Sequence, residues 1–303
     1  MSLQMIKKQR FTKSAIKKAE LDNLTLITNS YACNKGCPFC IAKNNKLFYQ
    51  HNDEFDKLYG ILDNLNNNNL KFKRFVLSGN GEPSFYSYED IATIALAVKS
   101  NSEMFDKVRV QTSGNLFYEN KKLRLLENLH GKKTEMMIHR LSLDNTKDMS
   151  LLGYKNDYTK TDSFKNAENI MFDIALTKHL EVDNFAESLE HLLVKNPNIL
   201  TIRFKTLMAG KNDKSPQALW VNQNTMNKNE IFRFINMLKN RYEQKNSAFS
   251  IGKTKLLFEE SGAYNKDIVL SSGKIMNYDL KILNIDDMIQ ISKQTCKSDS
   301  LLK

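Results

Sequence analysis

Cysteine is scarce in this chain: 303 residues carry four. So few thiols argue against a disulfide framework as the basis of the fold. Long apolar runs are missing as well, and none approaches the ~20 residues that span a bilayer. The opening stretch, MSLQMIKKQRFTKSAIKK, is basic but has no apolar core of the kind a secretory signal carries. A cytoplasmic protein without membrane contact is therefore expected. There is no Arg-rich block, no internal repeat and no composition shift that would mark a separate second domain. The overall balance, 41% hydrophobic and 26% charged, is that of a globular protein.

What is present begins with charge. Lysine and arginine outnumber aspartate and glutamate by 45 to 34, for a net charge of +11 and a pI of about 9.3. An excess of this size suits a polyanionic partner such as RNA or a nucleotide. It equally suits a lysine-rich surface from a biased composition, of which Leu65–Leu70 (LNNNNL) is a local sign.

Strand-like and helix-like stretches alternate along most of the chain. Strands are expected at Leu24–Thr28, Phe72–Ser78, Lys107–Gln111, Met136–Leu143, Ile170–Thr177 and Leu200–Thr206. Helices are expected between them, near Asp53–Leu65, Tyr88–Lys99, Lys121–Leu129, Asp162–Asn169 and Asp183–Val194. Alternation of this kind implies an α/β fold with a parallel sheet. Six units are too few for a closed eight-fold barrel and predict a partial (β/α)6 TIM-like barrel, with functional residues on the loops at the C-terminal strand ends. After Met208 the pattern changes. A loop or lid over Gly210–Asn224 holds the only tryptophan, Trp220, and is followed by a helix over Asn227–Gln244. A hairpin (Ile268–Leu270 with Lys274–Tyr278) and a helix (Ile285–Lys293) complete the expected elements. The expected division is an N-terminal extension (1–23), a core barrel (24–208) and a C-terminal α+β extension (209–303) covering the open side.

Three of the four cysteines, Cys33, Cys37 and Cys40, fall within eight residues as C-x3-C-x2-C, just past the first expected strand. A zinc site usually closes four ligands, often as two pairs, and no second pair exists. Thiolates suit iron–sulfur clusters, and three cysteines on a four-iron cube leave one iron open. Gly36 and Pro38 favour tight turns that aim three thiolates at one point. Cys296, in a polar tail, is set aside as a ligand.

The segment Cys33-Asn-Lys-Gly-Cys37-Pro-Phe39-Cys40 resembles the cluster motif of the radical S-adenosylmethionine (SAM) superfamily, including the aromatic residue before the last cysteine. A second segment, Ser78-Gly79-Asn80-Gly81-Glu82-Pro83-Ser84, follows the second expected strand and resembles that family's GGEP-like motif. Glycines there allow close backbone approach to a ligand. Weaker likenesses follow at Gln111-Thr112-Ser113-Gly114-Asn115 and Ser142-Leu143-Asp144, each of which also reads as an ordinary turn or cap. The likeness spans roughly Leu24–Met208.

The resemblance implies a radical SAM enzyme. Cys33, Cys37 and Cys40 would ligate a 4Fe–4S cluster whose open iron chelates SAM. Electron transfer would cleave SAM to methionine and a 5′-deoxyadenosyl radical that abstracts hydrogen from the substrate. Glu82, with Gly79, Gly81 and Pro83, would hold the SAM ammonium end, and Phe39 and Thr112 would frame the adenosine. Ser142 and Asp144 would reach its ribose or carboxylate. Arg203 would meet a SAM carboxylate or an anionic substrate, or else form an ordinary ion pair. An electron donor such as flavodoxin or ferredoxin is implied as partner. The substrate stays open among a nucleotide or tRNA, a peptide or protein, and a small metabolite, with charge favouring the first. A non-enzymatic iron–sulfur or zinc protein that binds nucleic acid is the rival reading, and the GNGEP segment has no purpose in it.

Overall fold

The computed structural model describes residues 19–28, 33, 36–40, 55–79, 81–127, 129, 134–209, 213–245, 248–259, 267–271, 274–277 and 281–293. Six parallel strands form the centre: β1 (Ala19–Thr28), β2 (Leu70–Gly79), β3 (Phe105–Thr112), β4 (Glu135–Arg140), β5 (Ile170–Ala175) and β6 (Ile199–Lys205). They pair in sequence order, each parallel to the next. Five further strands follow: β7 (Glu243–Lys245), β8 (Ala248–Ile251), β9 (Thr254–Glu259), β10 (Asp267–Ser271) and β11 (Lys274–Met276). The helices are α1 (Leu58–Asn67), α2 (Tyr88–Ser100), α3 (Asn120–Glu127), α4 (Asn145–Leu152), α5 (Asp162–Asn166), α6 (Phe185–Lys195), α7 (Pro216–Asn224), α8 (Lys228–Arg241) and α9 (Ile285–Lys293).

The expected six-unit parallel core is present, as an open α/β sheet rather than a closed barrel. Its C-terminal additions belong to the same sheet. β10 pairs parallel with β1, and β9 pairs parallel with β6, so the extension lengthens the sheet at both edges. The 11-stranded order is β11-β10-β1-β2-β3-β4-β5-β6-β9-β8-β7. Both outer pieces end in antiparallel hairpins, which terminate the parallel run. β1 begins at Ala19, inside the expected N-terminal extension, because polar Glu20, Asp22 and Asn23 hide the strand pattern there. The expected 210–224 loop contains α7, started by Pro216 in its first turn and capped by the Ser215 hydroxyl.

Strand residues alternate between two faces, and register partners share a face. One face carries Phe75, Leu77, Val110, Ile138, Phe172 and Phe204, all fully buried. Rings from the helices pack on it, with Phe164 of α5 6.3 Å from Phe172, and Phe185 of α6 and Phe234 of α8 at 5.7 and 5.2 Å from Phe204. The opposite face carries Ser78, Gln111, His139, Asp173 and Arg203. An apolar outer layer and a polar inner face leave the functional side chains on the inside and at the loop ends. All six core strands run the same way, so the loops after β1 to β6 gather on one side of the sheet. Among the described residues no helix is long and apolar enough to cross a membrane.

Candidate active site

The cysteine loop follows β1. Cys33 is exposed, and Cys37 and Cys40 are half-buried. The Cys40 N–H donates to the Cys37 carbonyl at 3.2 Å, closing the Cys-Pro-Phe-Cys turn. The Gly36 N–H donates to Leu152 O at 2.6 Å, which pins the loop to the end of α4. Cys37 and Phe39 pack against the main core. Among the described residues no three ligating side chains converge on one metal ion, so the three thiols are not aimed at a single point as expected. In a four-iron cube each cysteine would bind a different iron, so its sulfurs would stay apart. The donor set, three soft thiols in one short loop, fits an iron–sulfur cluster and not a closed zinc site.

The Gly-x-Gly-Glu-Pro segment follows β2, whose last residue, Gly79, pairs with Thr28 at the end of β1. Glu82 is buried, and Pro83 opens a short 3-10 turn over Pro83–Phe85. The Glu82 carboxylate accepts the Thr112 hydroxyl at 2.6 Å and a very short hydrogen bond from the Ser113 N–H. Next along the turn, Ser84 accepts from Asn115 Nδ2 at 2.6 Å through its hydroxyl and from Lys122 Nζ at 2.7 Å through its carbonyl. The two motifs, thirty residues apart in sequence, are thus one unit. Gly114 makes that unit possible: its φ is +97°, and a Cβ there would stand 2.3 Å from Tyr158 Cδ1. We expect Gly114→Ala to lower stability by more than the ~1–2 kcal/mol that a left-handed backbone alone costs an L-residue, as read by thermal melting. A melting point equal to wild type would mean that the turn tolerates a right-handed form.

The loop after β4 is held from below. Arg140 and Asp148 are both completely buried, with Arg140 Nε 3.4 Å from Asp148 Oδ2. Asp148 accepts the Leu141 N–H at 2.7 Å, the Ser142 N–H at 3.2 Å and the Tyr154 hydroxyl at 2.8 Å. Arg140 donates to Asn145 Oδ1 at 2.8 Å and lies 4.7 Å over the Phe172 ring. Burial pushes the Tyr154 phenol far up, so it remains a donor to Asp148. Of the residues expected near SAM, Ser142 is buried and its hydroxyl accepts the Asp144 N–H at 3.2 Å. Asp144 is an exposed helix cap whose carboxylate accepts the Lys147 N–H at 2.7 Å, the ordinary capping role.

On the inner face His139, Asp173 and Arg203 stand in register across β4, β5 and β6. Asp173 is fully buried in a strand buried along its whole length. Its Oδ1 accepts from Arg203 Nε at 2.6 Å, and its Oδ2 meets Lys205 Nζ at 2.7 Å and His139 Nδ1 at 2.8 Å. Burial alone would raise the Asp173 carboxyl, but Lys205, Arg203 and the His139 hydrogen bond outweigh it and hold it well below the usual carboxylate range. Above the cluster, the Phe39 ring lies 5.0 Å from His139 and 5.6 Å from Trp220, which stacks on His179 at 5.8 Å. The aromatic residue of the cysteine motif therefore joins the cysteine loop to α7 and to the inner cluster.

No protein-family model matches the sequence, and no curated protein matches it. Solved structures do. The fold is similar to Streptococcus suis SuiB bound to S-adenosylmethionine, with a TM-score of 0.60 at 15% identity over 90% of this chain and 65% of SuiB. It is also similar to histidine-tagged anSMEcpe with bound AdoMet, with a TM-score of 0.56 at 17% identity over 91% of this chain and 80% of that one. The chain shares the fold of these two structures. It spans somewhat less than two thirds of the length of SuiB.

Within this fold the expected residues fall into two groups. Cys37, Phe39, Glu82 and Pro83 follow the C-terminal ends of β1 and β2, and Thr112 ends β3, with Glu82 and Thr112 in direct contact. Arg203 lies on β6, committed to Asp173 in an ion pair, the alternative its sequence position left open. Sequence reasoning passed over Asp173 and Lys205. The signal for Asp173 was a lone charge inside the apolar run Ile-Met-Phe-Asp-Ile-Ala. Cys296 lies outside the described residues.

Proposed function

We propose that the chain is a radical SAM enzyme in which Cys33, Cys37 and Cys40 ligate a 4Fe–4S cluster and the Glu82 turn seats the methionine end of SAM. The observation that carries this reading is the buried Glu82 carboxylate, fixed by Thr112 and Ser113 on the same side of the sheet as the cysteine loop. A structural metal module has no use for a buried, pre-positioned carboxylate at that place. When bound, cluster and SAM supply one-electron cleavage of SAM and hydrogen abstraction from the substrate.

The protein's own share is positioning and exclusion of water. Gly79 and Gly81 let backbone approach the ligand, Pro83 fixes the turn, and Thr112 orients Glu82. Phe39, braced between His139 and Trp220, holds the last turn of the cysteine loop against the inner face. Ser142, buried just beyond β4, would contribute to the rim toward SAM. A flavodoxin- or ferredoxin-type donor supplies the electron. The charge of +11 favours a nucleotide or tRNA substrate over a peptide or small metabolite. tRNA binding should weaken steeply as salt is raised, and a flat response counts against RNA.

Glu82→Gln tests the ligand seat. Glutamine keeps an acceptor for Thr112 but loses the charge that an ammonium group needs. The SAM dissociation constant should rise by about tenfold or more, the loss of one charge-assisted hydrogen bond. Iron content should stay at the wild-type level. Loss of iron in step with SAM binding would make Glu82 a structural residue.

A further inference from the structure

The Cys37-Pro38-Phe39-Cys40 turn is closed by the hydrogen bond from the Cys40 N–H to the Cys37 carbonyl. A single backbone hydrogen bond contributes little net stability, so the turn relies on its side chains to keep one orientation. Phe39 is the anchor, and its ring meets two others. One is His139, with centroids 5.0 Å apart, whose Nδ1 is 2.8 Å from the buried Asp173 carboxylate. The other is Trp220 of α7, at 5.6 Å, and His179 stacks on Trp220 at 5.8 Å and 18°. The buried residues of the nine in α7 are Ala218 and Val221. So small a buried stripe does not explain a short helix by core packing. Its C-terminal end is nonetheless tied down. The Lys178 N–H donates to Asn224 O at 2.8 Å, Lys178 Nζ donates to Gln223 O at 2.7 Å, and the Met226 N–H donates to Leu176 O at 3.1 Å. Thr225 bridges to Thr177, and Asn224 Nδ2 donates to the Trp220 carbonyl at 2.8 Å. Residues 176–179, just past β5, therefore both fasten α7 and supply the ring that stacks on Trp220.

We propose that Trp220 is a positioning residue for the cluster: acting through Phe39, it fixes the turn that presents Cys37 and Cys40. This rests on the reading above, in which those cysteines ligate iron. Groups that orient a metal's ligands from outside also tune the metal. Trp220 does so from a separate element, far along the chain from the cysteine motif, and this gives α7 a purpose that its slight burial does not. His179 holds the indole in place. An aromatic pair is worth about two- to tenfold in an equilibrium, enough to decide how often a turn of this kind opens.

Two readouts follow the turn itself. The first is anaerobic alkylation of the full-length protein by iodoacetamide before cluster loading, mapped by mass spectrometry. Trypsin cuts at Lys35 and so separates Cys33 from Cys37 and Cys40. A half-buried thiol reacts when its turn opens. Trp220→Ala should therefore speed alkylation of Cys37 and Cys40 by about five- to tenfold, the equivalent of a lost aromatic pair. Exposed Cys33 should keep its rate. Trp220→Phe, which retains a ring, should restore most of the protection, and Leu219→Ala, at an exposed position of α7, should leave the rates alone. In a Phe39→Ala background, adding Trp220→Ala should have no further effect, because changes that act through one contact do not add. The second readout is the electron paramagnetic resonance spectrum of the loaded, dithionite-reduced protein. It should shift or broaden in Trp220→Ala and not in Trp220→Phe, with iron content at the wild-type level in both. Equal alkylation rates in wild type and Trp220→Ala, or equal acceleration at Cys33, would overturn the proposal. An undiminished effect in the Phe39→Ala background would overturn it too, by making the indole a simple shield for the thiols, as would an unchanged spectrum in Trp220→Ala. Failure of wild type to load a cluster would strike the proposed function, while the alkylation rates would still be read on their own.

Discussion

Cys37→Ala is expected to leave reconstituted protein without its four-iron cluster and to reduce 5′-deoxyadenosine formation to that of a control without enzyme. A cube with three protein ligands has no spare thiolate, and the loss of one leaves two irons without cysteine. The change is sterically mild, since it removes one atom from a half-buried side chain. Loss of iron would therefore not reflect collapse of the fold, and circular dichroism should match wild type. Cys296→Ser should keep both iron and activity. Retained iron and turnover in Cys37→Ala would remove Cys37 from the ligand set.

The second large effect belongs to Asp148→Ala. It leaves the fully buried Arg140 guanidinium without its carboxylate and takes the acceptor from the Leu141 and Ser142 N–H groups. Removing one partner of a buried pair costs about 3–5 kcal/mol, because the remaining charge stays out of water. The melting temperature should fall on the order of 10 °C. A double variant, Arg140→Met with Asp148→Leu, should be less damaged than Asp148→Ala alone, because no orphan charge remains. The effect should extend to the site. The same helix α4 receives the Gly36 N–H at its C-terminal end, so cluster loading should drop alongside stability. A melting point within a degree or two of wild type would mean that water reaches and solvates Arg140.

Much of this arrangement was legible in the sequence. The six core strands stood out because each is a short apolar run followed by a helical pattern, and Glu82 stood out because glycines and a proline frame it. Other parts were hidden for identifiable reasons. β7 to β9 were missed because Glu243, Lys245 and Lys255 interrupt their apolar pattern at the sheet's edge. Helix α4 escaped because Asn145-Thr-Lys-Asp carries little apolar signal and the helix is organised by the buried Asp148 instead. The pairing of β10 with β1, about 240 residues apart in sequence, leaves no local trace at all. Asp173 showed as an anomaly in an apolar strand, but its partners come from β4 and β6, and only the sheet register brings them together. Thr112 and Glu82 were each singled out alone; their hydrogen bond is a product of the fold.

The measurement that tests the central claim most directly is anaerobic reconstitution with iron and sulfide, addition of SAM and dithionite, and chromatography for 5′-deoxyadenosine. The account predicts 5′-deoxyadenosine and methionine in equal amounts, dependent on both the cluster and the reductant, from wild type and not from Cys37→Ala. A fully loaded cluster that binds SAM yet yields no 5′-deoxyadenosine would contradict it.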